Sequence, residues 1–165
     1  MYVSPEGSKY YQNREHSTIE TLEEIFIKIH FDFPGSNILL AGDMNARTGD
    51  LVDYIIDDSL EYITNEDIYP IDDFNQKRHN LDKEINAFGT ILIHLCKTHG
   101  IHIVNGRFPS DADGMFTSHA NKGASVVDYM VASTELFPSI KNFSVIDDSD
   151  HFPITCCIET SITGE

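Results

Sequence analysis

Basic residues are scarce in this chain: 11 Lys and Arg stand against 27 Asp and Glu, a formal net charge of −16. Such a surface repels a polyanion, because nucleic-acid affinity normally rests on Lys and Arg displacing counterions from phosphates. Chemistry on nucleic acid would then depend on bound cations, a local basic strip or residues outside the chain. Cysteine is also sparse. Cys96, Cys156 and Cys157 make no disulfide framework and lack the CxxC spacing of a zinc site. Neighbouring Cys on a strand point to opposite faces, so all three read as buried apolar side chains in a reducing compartment. No apolar run approaches membrane-spanning length, and Met1-Tyr2-Val3-Ser4-Pro5 shows no signal peptide. These absences point to an intracellular protein, nuclear or cytoplasmic, with no membrane partner. Internal repeats and low-complexity segments are missing as well.

What is present suits one globular domain. A length of 165 residues and 41% apolar content allow a single core and leave no room for two ordinary domains. Ser17-Thr18-Ile19-Glu20 is a capping-box pattern, and Ile19, Leu22, Ile25, Phe26 and Ile29 follow at helical spacing. The pattern predicts a helix from Thr18 to about His30, ended by Pro34-Gly35. Asn37 to Ala41 reads as a short buried strand carrying Gly42-Asp43-Met44-Asn45 at its end. From about residue 48 to 83 the chain is acidic and poorly periodic: eleven Asp or Glu lie from Asp50 to Glu84, against Lys77, Arg78 and Lys83. That composition predicts a long solvated excursion.

A second helix is expected from Lys83 or Glu84, with Phe88, Ile91, Leu92, Leu95 and Cys96 as its apolar stripe and Gly100 as its stop. Ile101 to Val104 reads as a strand, after which Asn105-Gly106-Arg107 turns away. Further strands are expected at Phe116-Thr117, Ser125 to Ala132, Phe143 to Ile146 and Phe152 to Ile158. Helices alternating with buried strands indicate an α/β class.

Three clusters carry the chemistry. If strand geometry persists past Gly42, Asp43 and Asn45 project from one face, and a carboxylate beside an amide can orient water and hold a phosphate oxygen. Taken alone, Gly-Asp followed by Asn also reads as a turn. Asp128 lies among Val126, Val127, Met130 and Val131, where an unpaired carboxylate is costly, so it needs a partner or a solvent-facing position. Asp150 and His151 are adjacent and face opposite ways when extended. His151 therefore pairs with a distant carboxylate, and Asp128 is the candidate. Such a pair fixes the imidazole tautomer and stabilises its charged form, which suits acid–base or phosphate-stabilising work. Asp150 is then free to approach a cation. A site rich in Asp and without Cys suits a hard divalent ion, Mg²⁺ or Mn²⁺. His94, His99 and His102 straddle a helix end and a strand and read as surface or helix-end residues. Arg78 and Arg107 read either as surface ion-pair partners or as phosphate contacts, with Arg107 in its glycine-preceded loop the better phosphate candidate.

GDMNAR, SVVDYMVAS and SDHFPI, in this order, resemble the endonuclease/exonuclease/phosphatase superfamily, together with Tyr2-Val3-Ser4-Pro5 upstream. The flavour is that of the endonuclease domain of non-LTR retroelement reverse transcriptases, to which Asn105-Gly106-Arg107 and Phe116-Thr117 add. The likeness runs from Tyr2 to about Ile158. It implies a two-sheet sandwich flanked by helices, of which residues 1–165 resemble the C-terminal portion, a single incomplete domain. Asp43 would help activate the attacking water, and Asn45 would orient it and the scissile phosphate. Asp128 would orient His151, which would contact the phosphate. Asp150 would belong to the metal environment, and Tyr2 would contact phosphate near the leaving group. The superfamily's earlier Asn-bearing strand and metal-ligand Glu have no counterpart, since Asn13 and Glu15 lie in a polar stretch. The implied activity is Mg²⁺-dependent nicking of DNA. The partners expected with it are a missing N-terminal half, a fused reverse transcriptase, or a second copy meeting exposed sheet. Two alternatives stand beside it: a relative acting on inositol phosphates or sphingolipids, and an inactive remnant or interaction module.

Overall fold

An unbroken apolar run along one strand, its successive residues facing opposite ways, decides the architecture. The computed structural model describes residues 2–3, 18–55, 76–120, 123–147 and 151–159. Its central sheet has three strands, β1 (Leu39–Asp43), β2 (Ile101–Ile103) and β5 (Asp128–Ser133), with β5 in the middle and both neighbours antiparallel to it. Tyr129 and Val131 face one way, into a core shared with Leu22, Phe26, Phe88 and Leu92 of the helices. Met130 and Ala132 face the other way, against Phe143, Val145 and Ile154. The alternation matches the two-residue period of a strand buried on both faces.

The helices α1 (Thr18–Asp32) and α2 (Ala87–His99) cover the first face. A hairpin of β6 (Ile140–Val145) and β7 (Ile154–Ile158) covers the second. A small hairpin, β3 (Ser118–Ala120) with β4 (Gly123–Ser125), stands at the end where β5 begins. Layers of helices, sheet and second sheet make this an α/β fold, part of a helix-flanked two-sheet sandwich. Among the described residues no helix is long and apolar enough to cross a membrane.

Several boundaries differ from the pattern in the sequence. The first helix runs two residues past His30, because Phe33 N–H still reaches Ile29 O at 2.8 Å. Ile25 is exposed, as are Ile27, Phe31 and Phe33, so the apolar stripe is narrower than its residues suggest; Ser17, the expected cap, lies outside the described residues. Strand β1 starts at Leu39 and ends at Asp43, since the Ile38 amide bonds Ser133 Oγ at 3.1 Å instead of joining a ladder. Helix α2 begins at Ala87, not Lys83, because Asn86 supplies the cap: its side chain accepts from Gly89 N at 2.8 Å. Gly100, at φ 60°, closes it in the left-handed conformation. Phe116-Thr117 is not a strand, and the run from Ser125 to Ala132 breaks at Val126-Val127.

The acidic segment corrects the solvated reading at both described ends. Asp53, Arg78, Asn80 and Asp82 are buried, while residues 56–75 lie outside the description. Charged groups persist in a core only when partnered, and these are. Asp82 takes both Arg47 Nε (2.8 Å) and Arg47 Nη2 (2.7 Å). Arg78 turns Nη2 to Thr48 Oγ1 at 2.6 Å and to the Gly49 and Leu51 carbonyls, while its buried Nε has no partner among the described residues. Of the cysteines, Cys96 is buried and Cys156 half-buried, but Cys157 is exposed, contrary to expectation.

Candidate active site

Strands β1 and β5 end together at a pair of acids. Asp43 and Asp128 sit directly opposite each other in the antiparallel register. Like charges in such a position destabilise a sheet, so the pair needs a reason to be there. His151 is part of that reason. Its Nδ1 lies 3.2 Å from Asp128 Oδ2, joining residues from β5 and the segment before β7. The imidazole is more than half exposed while the Asp128 carboxylate is mostly covered, so the ring stands at the surface on a fixed base.

One ligand atom from each of Asp43, Asp128 and His151 lies within 4.8 Å of the others. Burial pushes the Asp43 carboxyl above its usual range. The Asp128 charge adds to that, against the Asn45 amide bond and His151, which pull it down. Two confronted carboxylates and an imidazole form a hard, oxygen-rich donor set that a divalent cation would relieve. The residues present therefore fit a cation.

The remaining expected residues divide sharply. Asn45 does not share a strand face with Asp43, because β1 ends first and Asn45 turns at φ 46°. Its amide N–H is held by Asp43 Oδ1 at 2.9 Å, so the turn and the site are the same structure. Asn45 Nδ2 donates to Val3 O at 2.6 Å, and Val3 N–H donates to Asp43 O at 2.8 Å. These bonds lay Tyr2 in parallel against Asp43, with the tyrosine 61% exposed. Asp150 lies outside the described residues.

Arg107 is a correction. Its side chain and that of Asp53 are fully buried against each other, with Nη2 to Oδ1 at 2.6 Å and Nη1 to Oδ2 at 2.9 Å. A guanidinium sealed this way cannot reach a phosphate, and it is not a surface ion pair either. Arg78 is withdrawn from phosphate by the same burial. Among the histidines, His94 is exposed, His99 stacks on His30 at the end of α2, and His102 is buried in β2 and bonded to Thr134.

Residues to which the sequence assigns no part in the chemistry brace the site. Asp82 Oδ2 accepts from Val126 N–H at 3.1 Å, and Thr117 Oγ1 accepts from both Val127 and Asp128 N–H at 3.0 Å. Ser118 bridges His151 in antiparallel fashion, its Oγ 3.5 Å from the ring Nε2. A lone Thr or Asp in an irregular stretch gives no periodicity from which such a role could be read.

No protein-family model matches the chain, and no curated protein matches it. Solved structures do. The endonuclease domain of TRAS1, a telomere-specific non-LTR retrotransposon, superposes with TM-score 0.54 at 19% identity, over 90% of this chain and 55% of that one. The 3'-5' exonuclease NExo from Neisseria meningitidis gives 0.56 at 15%, over 93% and 56%. A variant of the 3' phosphatase NExo from Neisseria, bound to product DNA hairpin, gives 0.57 at 14%, over 93% and 56%. At these identities the likeness is one of fold, and the fold is of the endonuclease/exonuclease/phosphatase type. The chain spans little more than half the length of each of these structures.

Proposed function

We propose that this chain belongs to a divalent-cation-dependent phosphodiesterase that nicks DNA, as its retroelement-like motifs imply. The observation that carries the reading is the Asp128–His151 contact beside the opposed Asp43 carboxylate. Sheet stability alone does not ask for that arrangement. The fold shared with a retrotransposon endonuclease domain and with a 3' phosphatase bound to product DNA hairpin supports the substrate class.

In this reading Asp43 takes a proton from the water that attacks phosphorus, while the bond from phosphorus to the 3' oxygen breaks. Asp128 accepts from Nδ1–H of His151 and holds the opposite ring nitrogen toward a phosphate oxygen, where the charged form offsets developing negative charge. Asn45 fixes the turn that aims Asp43. Tyr2, exposed beside Asp43, contributes its hydroxyl to the phosphate. Asp43 and Asp128 would hold the cation, Mg²⁺ or Mn²⁺, with Asp150 adding to its environment. Such an ion supplies charge neutralisation and a more acidic water. It also answers the repulsion between a −16 surface and DNA.

A second reading is a module that binds without turnover. It is favoured by the small ligand set among the described residues, three groups with Asp128 already committed to His151. Activity on inositol phosphates or lipids has no such observation behind it. Nicking of supercoiled plasmid with Mg²⁺, with EDTA and with His151→Ala decides between the first two. Nicking that EDTA and the substitution both abolish supports the hydrolase. A folded chain that leaves the plasmid intact supports the binding module.

A further inference from the structure

Successive amides of an extended strand point to opposite sides. Val127 and Asp128 break that rule by donating to one oxygen, Thr117 Oγ1, each at 3.0 Å. Two consecutive donors can converge on a single acceptor only if the chain bends at Val127. That bend marks the start of β5 and sets the direction in which the Asp128 side chain leaves the strand. A hydroxyl with two lone pairs can accept both amides.

The same residue also fixes the other partner. Thr117 O accepts from Phe152 N–H at 2.7 Å, immediately after His151, and Ser118 forms the bridge to His151 itself. Thr117 N–H is held in turn by Ser125 O at 2.9 Å, and the residue is fully buried. One rigid point thus determines where both side chains of the pair originate, although 23 residues separate them.

We propose that Thr117 is a positioning residue for the Asp128–His151 pair, its hydroxyl setting Asp128 and its carbonyl setting His151. Only the expected effect on turnover rests on the phosphodiesterase reading; the effect on the geometry of the pair does not. The test therefore begins with the His151 ring observed directly. Long-range ¹H–¹⁵N NMR of the unmodified chain, at a pH where the ring is neutral, should show the Nδ1-protonated tautomer that an acceptor at Asp128 selects. Thr117→Val replaces the hydroxyl with a methyl and should lower the Nδ1-protonated fraction of the ring. Thr117→Ser restores the hydroxyl and should restore the signature. If the chain cleaves DNA, kcat should fall about tenfold or more in Thr117→Val, with KM unchanged within about twofold.

A folded Thr117→Val that keeps the single tautomer overturns the proposal, as does a folded Thr117→Ser that loses it. Thr117→Val strands two amides and could fail to fold. Hydrogen exchange in the unmodified chain then decides: the Val127 and Asp128 amides should be protected, and exchange at free-amide rates refutes the double bond to Thr117. A chain that shows all these signatures yet never cleaves DNA refutes the hydrolase reading and leaves the positioning role standing.

Discussion

Asp53 and Arg107 form a doubly bonded ion pair with neither side chain exposed, across 54 residues of sequence. Asp53 also accepts from the Ile103 amide at 2.7 Å, and so ties the acidic segment to β2. Burial alone would push this carboxyl up. The Arg107 bonds and charge outweigh that and hold it below its ordinary 3.8. The pair's stability is then fully present above about pH 3.8 and is lost as pH falls through the lower folded value. Asp53→Asn leaves a buried guanidinium without its counter-charge and should cost about 3–5 kcal/mol, read from urea unfolding. A loss below about 1 kcal/mol would mean that water reaches the pair.

The Asp128–His151 contact predicts a different pattern. His151 is 57% exposed at its side chain, so His151→Ala should leave stability almost unchanged while removing any cleavage. Asp128→Asn keeps the shape but no longer stabilises the charged ring, and kcat should drop by about a hundredfold or more with DNA affinity retained. Steady-state cleavage assays with binding measured in parallel separate the two. Equal loss of kcat and affinity would place Asp128 in binding and not in orientation of the ring.

Why that contact was legible in the sequence, and Thr117 was not, has a physical cause. A carboxylate inside an apolar strand announces a need for a partner, and His151 was the available one. The strands themselves announce their burial through apolar runs. Thr117, by contrast, belongs to a string that resembles the superfamily, but its role runs through backbone amides, which carry no sequence signal. Arg107 was misread because its partner Asp53 sits in a segment whose composition suggests solvent, while burial is decided by where β2 and the loop from residue 76 close over it. The strand break at Val126-Val127 escaped for the same reason, being imposed by Asp82 and Thr117 and not by any residue within it.

The junction of α1 and α2 should be sensitive to acid. His99 stacks on His30 at 5.5 Å and meets Phe26 at a tilt at 5.1 Å, with its buried Nε2 unbonded among the described residues. Burial lowers its pKa below 6.5, His30 and His94 lower it further, and Glu23 opposes them. The unfolded chain therefore binds the proton more readily. This part of the stability is full above about pH 6.5 and is lost as pH falls through the lower folded value. Replacing His99 with Phe should flatten the melting temperature between pH 7 and pH 5. An unchanged acid slope would assign it to other groups.

Helix α2 meets the site at a glycine. A Cβ on Gly89 would lie 1.8 Å from Arg47 O and 2.5 Å from Arg47 C, backbone atoms that cannot swing aside. The contact is fastened by Asn86, whose N–H bonds Arg47 O at 3.0 Å while its side-chain oxygen accepts from Arg47 N–H at 2.9 Å. Asn86 Nδ2 also donates to Asn45 O at 2.9 Å, so the first turn of α2 is buttoned to the turn that aims Asp43. Alanine would gain about 1 kcal/mol of helix propensity, but overpacking against fixed backbone costs about 1–3 kcal/mol or more and should win. Gly89→Ala should therefore lower the melting temperature. It should also weaken the further stabilisation by Mg²⁺ or Mn²⁺, because displacing Arg47 moves Asn45 and with it the Asp43 carboxylate. Thermal melts with and without the cation read both effects. A variant as stable as the parent, with an equal cation response, would show that α2 does not set the position of Asp43.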